Sequence, residues 1–538
     1  MTDLLPSSAP DGRRLTRRSV VRGALAGGIL LGAGGILSAC GSDEPGSSAA
    51  ASTGPVVPRR GGRLRIGVAG GGPQDSLDAH RSDASLVDAM RSNNLHEPLA
   101  IRDRDFRIQH VLAEEIAPER GKLDVWTIRL KDGLTFHDGR PVTSDEVVSS
   151  LQRILDPKDP KSAATALSSV DPRRIRVVDD RTVRLTLREP NANLLDDLAR
   201  STVAIVPKDY DPKHPIGTGP FRFRSFEPGR QSVFVRYDDY REAPKPYVDE
   251  LVIVDLPDET ARLNALLGGQ VDAITDLPTS QRAAIRGRPG FAVLRAKTGN
   301  WHAFTLRVDT PPFDDVRVRQ AFRLLADREQ LVAQALAGEG RVANDVVSPL
   351  DPAYDRALPQ RTQDVDRALA LLKQAGRRDE TFELVTAPQV AGIVEAAQVF
   401  AKQASDAGVR VKLRKVGTDV FFGDEYKRWP FAQTYWTTRS YFAQVAATHL
   451  PKAPYNETHF DDPEFNRLIA QAKRIADDGR RTELLHEAQR IEYDRGGLLI
   501  PYFYNVVDAY STKLVGLKPA STGLPLGNYL FKDVGFAA

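Results

Sequence analysis

Apolar and polar residues alternate along Val125-Trp126-Thr127-Ile128-Arg129-Leu130, the period of a strand with one buried face. Lys131-Asp132-Gly133 supplies a turn and Leu134 to His137 a second short run before Asp138-Gly139, so this segment predicts a hairpin. The period then changes. Val147, Val148, Leu151, Ile154 and Leu155 fall on one helical face, and Thr143-Ser144-Asp145-Glu146 has the spacing at which Thr and Glu side chains cap the first turn. Asp156-Pro157 stops that helix. The grammar recurs as a strand at Glu250 to Leu256 and a helix from Asp258 to Leu267 closed by Gly268-Gly269. Asp315 is placed to cap a helix carrying Val316, Val318, Ala321, Phe322 and Leu325.

Between Thr381 and Trp436 the pattern predicts strand, helix, strand, helix, strand: Phe382 to Thr386, Val390 to Ala407, Val409 to Val416, Asp419 to Arg428 and Phe431 to Trp436. Such alternation favours a parallel α/β sheet. Helices at Asp462 to Ala476 and Gly479 to Tyr493 follow, then a strand at Leu498 to Tyr504. No repeat of a solenoid or propeller runs through the chain, and its 538 residues exceed what one hydrophobic core organises.

The N-terminal segment has a different character. Gly23 to Ala39 is apolar but glycine-rich and shorter than the ~20 residues that span a bilayer core. Thr16-Arg17-Arg18-Ser19-Val20-Val21 ahead of it resembles a twin-arginine export signal, and Leu37-Ser38-Ala39-Cys40 resembles the bacterial lipobox. The resemblance implies a signal peptide at 1–39, lipid on Cys40 and a chain held on the extracytoplasmic face of the membrane. Residues 41–58 are rich in serine, alanine, glycine and proline and bury too little to repay their ordering entropy, which predicts a disordered tether.

Composition narrows the chemistry. Cys40 is the single cysteine, so no disulfide, cysteine-built zinc site or thiol nucleophile remains once it is lipidated. The net charge is +3, and residues 1–39 hold five arginines against two aspartates, so the remainder is formally neutral and offers no basic excess for nucleic acid. The histidines show no metal-ligand spacing. Gly70-Gly71-Gly72 after Leu64 to Val68 lacks the spacing of a dinucleotide loop, and no nucleophile elbow or paired-carboxylate motif appears. An exported enzyme carrying a cofactor is the alternative of another class that these absences disfavour. No cofactor and no catalytic residue are expected.

Several segments together resemble the family 5 extracellular solute-binding proteins of ABC importers, which include dipeptide, oligopeptide and nickel-chelate receptors. They are Trp126 to Ser150 with its Phe-His-Asp-Gly, Gly217-Thr218-Gly219-Pro220-Phe221, Val248-Asp249-Glu250, Gly269-Gln270-Val271-Asp272-Ala273 and Pro312 to Ala321. The resemblance implies a bilobed, mixed α/β periplasmic-binding-protein-like fold of type II, with two lobes joined by a two-strand hinge. Lobe I would comprise 59–297 and 506–538 with a subdomain at about 100–205; lobe II would comprise 298–505. It further implies a monomer that binds a small solute, most simply a peptide, and docks on a permease with its ATPases. Nickel-chelate, opine and sugar receptors of the same fold, and a sensor that has given up transport, are the alternatives.

Dipeptide receptors of this family place an acidic residue in the loop after a Trp-ended strand of lobe II. Here that loop, Thr437-Thr438-Arg439-Ser440, has none. Arg439 is expected instead to clamp an anionic group, with Trp436 and Tyr435 as aromatic walls. Asn456, in a turn before Asp462-Pro463-Glu464-Phe465, and Asn94, before Glu97-Pro98-Leu99, are further candidates, as is Trp301 beside the expected hinge. Trp429 is a weaker one. His137 and Asp138 sit at a turn with no catalytic partner in view.

Overall fold

The computed structural model describes residues 58–81 and 85–538. Arg17, Arg18 and Cys40 lie outside the described residues, as does nearly all of the tether.

Two main sheets organise the chain. The first has seven strands in the spatial order Phe291–Ala296, Val506–Ser511, Ala273–Ile274, Arg63–Val68, Glu250–Asp255, Gln231–Arg236 and Phe221–Glu227. Arg63–Val68 runs parallel to both neighbours, and the other pairs are antiparallel. Its faces are apolar on both sides: Leu64, Ile66, Leu251 and Ile253 pack on one, Ile274, Val507 and Ala509 on the other. The second main sheet has four antiparallel strands, Gly340–Val342, Leu498–Tyr504, Trp301–Leu306 and Phe431–Trp436. Phe304, Phe431 and Leu499 face one core, and Trp301, Ala303 and Ile500 face another.

A third sheet, Ala113–Glu119, Lys122–Leu130, Thr182–Leu187 and Val170–Asp179, has its own core around Trp126, Ile128, Leu151 and Val183. Here the expected hairpin from Val125 to His137 gives way. Lys122–Leu130 spends both edges on Ala113–Glu119 and Thr182–Leu187, leaving none for Leu134 to His137. That run folds on itself instead: Thr135 bridges Pro141, and Leu134 and Phe136 drop into the core. The helix after it, Ser144–Ile154, forms with its capping box complete, the Thr143 amide donating to Glu146 Oε2 at 3.0 Å.

The parallel sheet expected between Thr381 and Trp436 is confined to one pair, Thr381–Thr386 with Arg410–Lys415. Phe431–Trp436 joins Trp301–Leu306 in the four-stranded sheet, antiparallel, because its apolar Phe431 belongs to the Phe304 and Phe400 cluster. The helix expected over Asp419 to Arg428 shrinks to Thr418–Phe421, and Lys427 adopts a φ of +63° that no α-helix admits.

Several segments that carried the family resemblance do scaffold work. Asp272 receives Arg65 through Nε and Nη2 at 3.1 and 2.9 Å. Arg319 and Arg323 are buried and donate to carbonyls of 495–498, fastening their helix to the start of Leu498–Tyr504. A Cβ on Gly217 would stand 2.0 Å from the Leu95 carbonyl oxygen, so only glycine fits.

Candidate functional site

The chain passes between the two main sheets twice, from Ala296 to Trp301 and from Tyr504 to Val506. The crossings are tied to each other and to a third segment. The Thr298 hydroxyl donates to Tyr504 O at 2.6 Å, and Tyr504 N to Asn300 O at 2.9 Å. Asn300 Oδ1 accepts from Thr438 N at 2.8 Å while its Nδ2 donates to Gly523 O at 3.1 Å. Gly523, at φ +85°, has to be glycine: a Cβ there would stand 1.9 Å from Asn300 Oδ1.

On the side of the seven-stranded sheet, acids gather beside the crossings. Asp276 follows the strand Ala273–Ile274 at φ +52°, a left-handed backbone that few non-glycine residues adopt. Its N–H donates to Asp508 Oδ1 at 3.1 Å, and the other Asp508 oxygen accepts from Leu526 N at 2.6 Å. Asp508 is fully buried, and burial, helped by the charge of Asp276, pushes its pKa up to about 8. Burial of its carboxyl raises Asp276 as well, although the residue is exposed to solvent. The Tyr529 hydroxyl nearby is buried without a hydrogen-bond partner.

On the side of the four-stranded sheet stand the aromatics. Trp301 and Trp436 face each other across neighbouring strands with ring centroids 6.5 Å apart. Trp301 is 1% exposed, so it backs the wall and does not line it. Trp436 is half-buried, as is Tyr435; the Arg439 guanidinium lies 4.6 Å over the Trp436 ring, and Tyr455 meets that ring edge-on at 5.4 Å. The structure thus brings Tyr435, Trp436 and Arg439 together.

Three other sequence candidates are spoken for. Asn456 is buried: its Nδ2 donates to Leu450 O and Phe460 O at 3.2 and 2.9 Å, and its Oδ1 accepts from Phe460 N at 3.0 Å. It locks the turn from inside. Asn94 is buried on the helix Leu86–Leu95 and donates to Met90 O at 2.8 Å. Trp429 is buried with its indole N–H on Phe421 O at 3.2 Å. His137 is likewise a pin, its Nε2 2.9 Å from Gly219 O and its Nδ1 accepting from Gly217 N at 3.2 Å.

Asn456 nonetheless presents its neighbours, Tyr455 and Glu457, toward solvent. Glu457 was missed in the sequence because it lies outside the loop where an acid was sought; the turn carries it to the Tyr435 wall. Its Oε1 accepts from the Tyr426 hydroxyl at 2.9 Å, and burial raises its pKa to about 7 against the lowering effect of hydrogen bonds from Thr434 and Tyr426. Tyr435 is raised too, first by burial and then by the Glu457 charge. Among the described residues no His, Cys, Asp and Glu group could hold a metal. A surface recess of about 480 Å³ beside Ser149, Arg153, Pro172 and Lys208 contains none of these side chains.

Residues 107–456 match the family model of bacterial extracellular solute-binding proteins, family 5 middle. The chain belongs to the family 5 extracellular solute-binding proteins. Members of this family bind solutes and are not enzymes. The family 5 chain is 24% identical over 500 residues to the glutathione-binding protein GsiB of Salmonella typhimurium (strain LT2), covering 87% of this chain and 93% of that one. Among solved structures it is similar to AgaA in complex with agropinic acid from A. tumefaciens R10, at 25% identity and a TM-score of 0.75 over 88% of this chain and 99% of that one. DppA from Helicobacter pylori in complex with peptide STSA gives 20% identity and a TM-score of 0.76 over 89% and 99% of the two chains. The mixed α/β fold of the family's periplasmic binding proteins, expected from the sequence, is the one the chain has.

Proposed function

We propose that this solute-binding protein is the lipid-anchored receptor subunit of an ABC importer, which captures a peptide or peptide-like solute between two lobes and delivers it to a permease. Lobe I would comprise 59–297 and 506–538, lobe II 298–505, with the two crossings as hinge. The observation that carries the reading is that Asp276, on the seven-stranded side, and Tyr435, on the four-stranded side beside Trp436 and Arg439, both lie within electrostatic reach of Tyr504 at the crossing. Opposite charges flanked by aromatics suit a solute with both an ammonium and a carboxylate, as peptides and their relatives carry. Glutathione, which GsiB is named for binding, and peptide STSA, which DppA holds, fit that description. A solute touching both lobes stabilises the shut state, whereas one touching a single lobe shifts nothing. Lipid on Cys40, after twin-arginine or general export, would keep the receptor beside its permease.

The test is a thermal-shift screen of a soluble form lacking residues 1–40 against dipeptides, longer peptides, glutathione, opines, sugars and nickel chelates. A true solute at a hundred times its Kd adds about 2.7 kcal/mol of stability. With that solute, Arg439→Ala should weaken binding about ten- to a hundredfold, the worth of one hydrogen bond to a charged group. A screen in which no solute raises the melting temperature sinks the transport reading, and unchanged affinity in Arg439→Ala removes that residue from the site. Cys40→Ser should release the protein from the membrane fraction into the soluble one.

A further inference from the structure

We propose that Glu457, with Tyr426, Tyr435 and Tyr455, forms a subsite for an organic cation, a guanidinium or alkylammonium group carried by the solute. The inference rests on the receptor reading above and adds to the carboxylate pole taken by Arg439 a separate place for a cationic group of the solute.

The wall is built and open. Asn456 points inward and fixes the turn, so that Tyr455, 45% exposed, and the partly exposed Glu457 stand on its outer side. Tyr426 is held to Glu457 by its hydroxyl at 2.9 Å, and its ring meets Phe422, itself 42% exposed, at 5.3 Å. Tyr426 and Tyr435 are half-buried and Tyr455 is exposed around one carboxyl, so aromatic surface and an acid meet solvent at one place.

The chemistry selects a cation. Ring faces carry negative quadrupole charge and attract guanidinium and ammonium groups, most strongly when these are partly desolvated. The Trp436 ring is already taken by the protein's own Arg439 guanidinium, 4.6 Å over it, so the place for a solute cation is among Tyr426, Tyr435 and Tyr455. A metal ion would need several hard ligands, and Glu457 is a single carboxylate. Burial holds Glu457 partly protonated near neutrality, with Tyr426, Tyr435 and Lys427 as the titratable groups about it; Lys427 is engaged with Pro454 O at 3.1 Å. A bound cation would restore the ionised form.

The test compares solutes alike in shape and different in charge: an alanyl-arginine dipeptide against alanyl-citrulline, titrated calorimetrically into the soluble form. Choline and arginine methyl ester, which have no peptide bond, are read by thermal shift. At least tenfold tighter binding of the arginyl dipeptide, lost in Glu457→Gln and reduced in Tyr426→Phe, supports the subsite. Equal affinity for the two dipeptides, or a preference that survives Glu457→Gln in a variant with wild-type melting, overturns it. Should neither dipeptide bind, a shift with choline or the ester that Glu457→Gln abolishes keeps the cation subsite while discarding the peptide reading. No shift with any cation overturns the subsite alone, because the wider solute screen still decides the receptor reading.

Discussion

Single side chains set the acid and alkaline limits of this fold. Burial depresses His96 and His302 to about 3, and His80 and His137 to about 4, so all four are neutral when folded at neutral pH. In the unfolded chain they take up protons near 6.5, so between there and about pH 4 the unfolded state binds more protons and stability falls with pH. Asp508 acts in the opposite sense. It keeps its proton in the fold up to about 8 against 3.8 for an ordinary aspartate, so the fold is favoured at low pH and the advantage is lost as pH rises. Glu457, raised to about 7, adds to that alkaline loss. The melting temperature should therefore peak at about pH 6.5 and fall on both sides. Melts from pH 4 to 9 check this; a plateau down to pH 4.5 would mean the histidines are not held neutral. The same residues show what the sequence conceals. That His137 has both ring nitrogens engaged depends on Gly217 and Gly219, in a distant segment, and that Asn456 faces inward while Glu457 faces out depends on how one turn closes on Leu450 and Phe460, which no apolar period encodes.

At the scale of elements, local chemistry was read well and pairing poorly. Caps are local, so Thr143 with Glu146, Asp258, Asp315 and Asp462 each begin a helix where their spacing says they should. The Val125 to His137 hairpin does not form because Lys122–Leu130 pairs backward with Ala113–Glu119, next to it in the chain, and on its other edge with the distant Thr182–Leu187. The run Asp419 to Arg428 kept a helical apolar spacing, yet Phe421 and Trp429 are needed in one small cluster that a straight helix would not gather. The capping box offers a clean test. Thr143→Ala removes the acceptor for the first turn of Ser144–Ile154 and the partner of Glu146 at once. About 1 kcal/mol of stability should be lost, read as a lower urea midpoint with an unchanged slope. No change would mean that Val147, Leu151 and Ile154, all buried, hold the helix without help from its cap.

Across the whole molecule, the two main sheets and the third are joined by more than the crossings. Asp196, on the helix Leu194–Leu198 beside the third sheet, accepts from the Ser440 hydroxyl next to Arg439, and also pairs with Arg102. Glu189 meets Arg474 at 3.1 Å, and Ala192 N donates to Lys473 O at 2.8 Å. If closure delivers the solute, such contacts belong to the shut state and vanish in the open one, so their strength enters the apparent affinity directly. The Glu189 and Arg474 pair is exposed on both sides and contributes little. Asp196 and Ser440 are shielded, and a hydrogen bond to a charged group there is worth roughly 1.5–3 kcal/mol. Asp196→Ala should thus weaken solute binding about ten- to a hundredfold although the residue lies beside the aromatic wall and not in it. Arg102 would be left with the Phe106 carbonyl, to which it already donates at 2.7 Å, so the loss to folding should be the smaller effect. Scattering then separates the causes. A variant that binds weakly and has a larger radius of gyration at saturating wild-type solute concentration has lost closure, whereas one that binds weakly with the wild-type radius has lost a direct contact and refutes the latch.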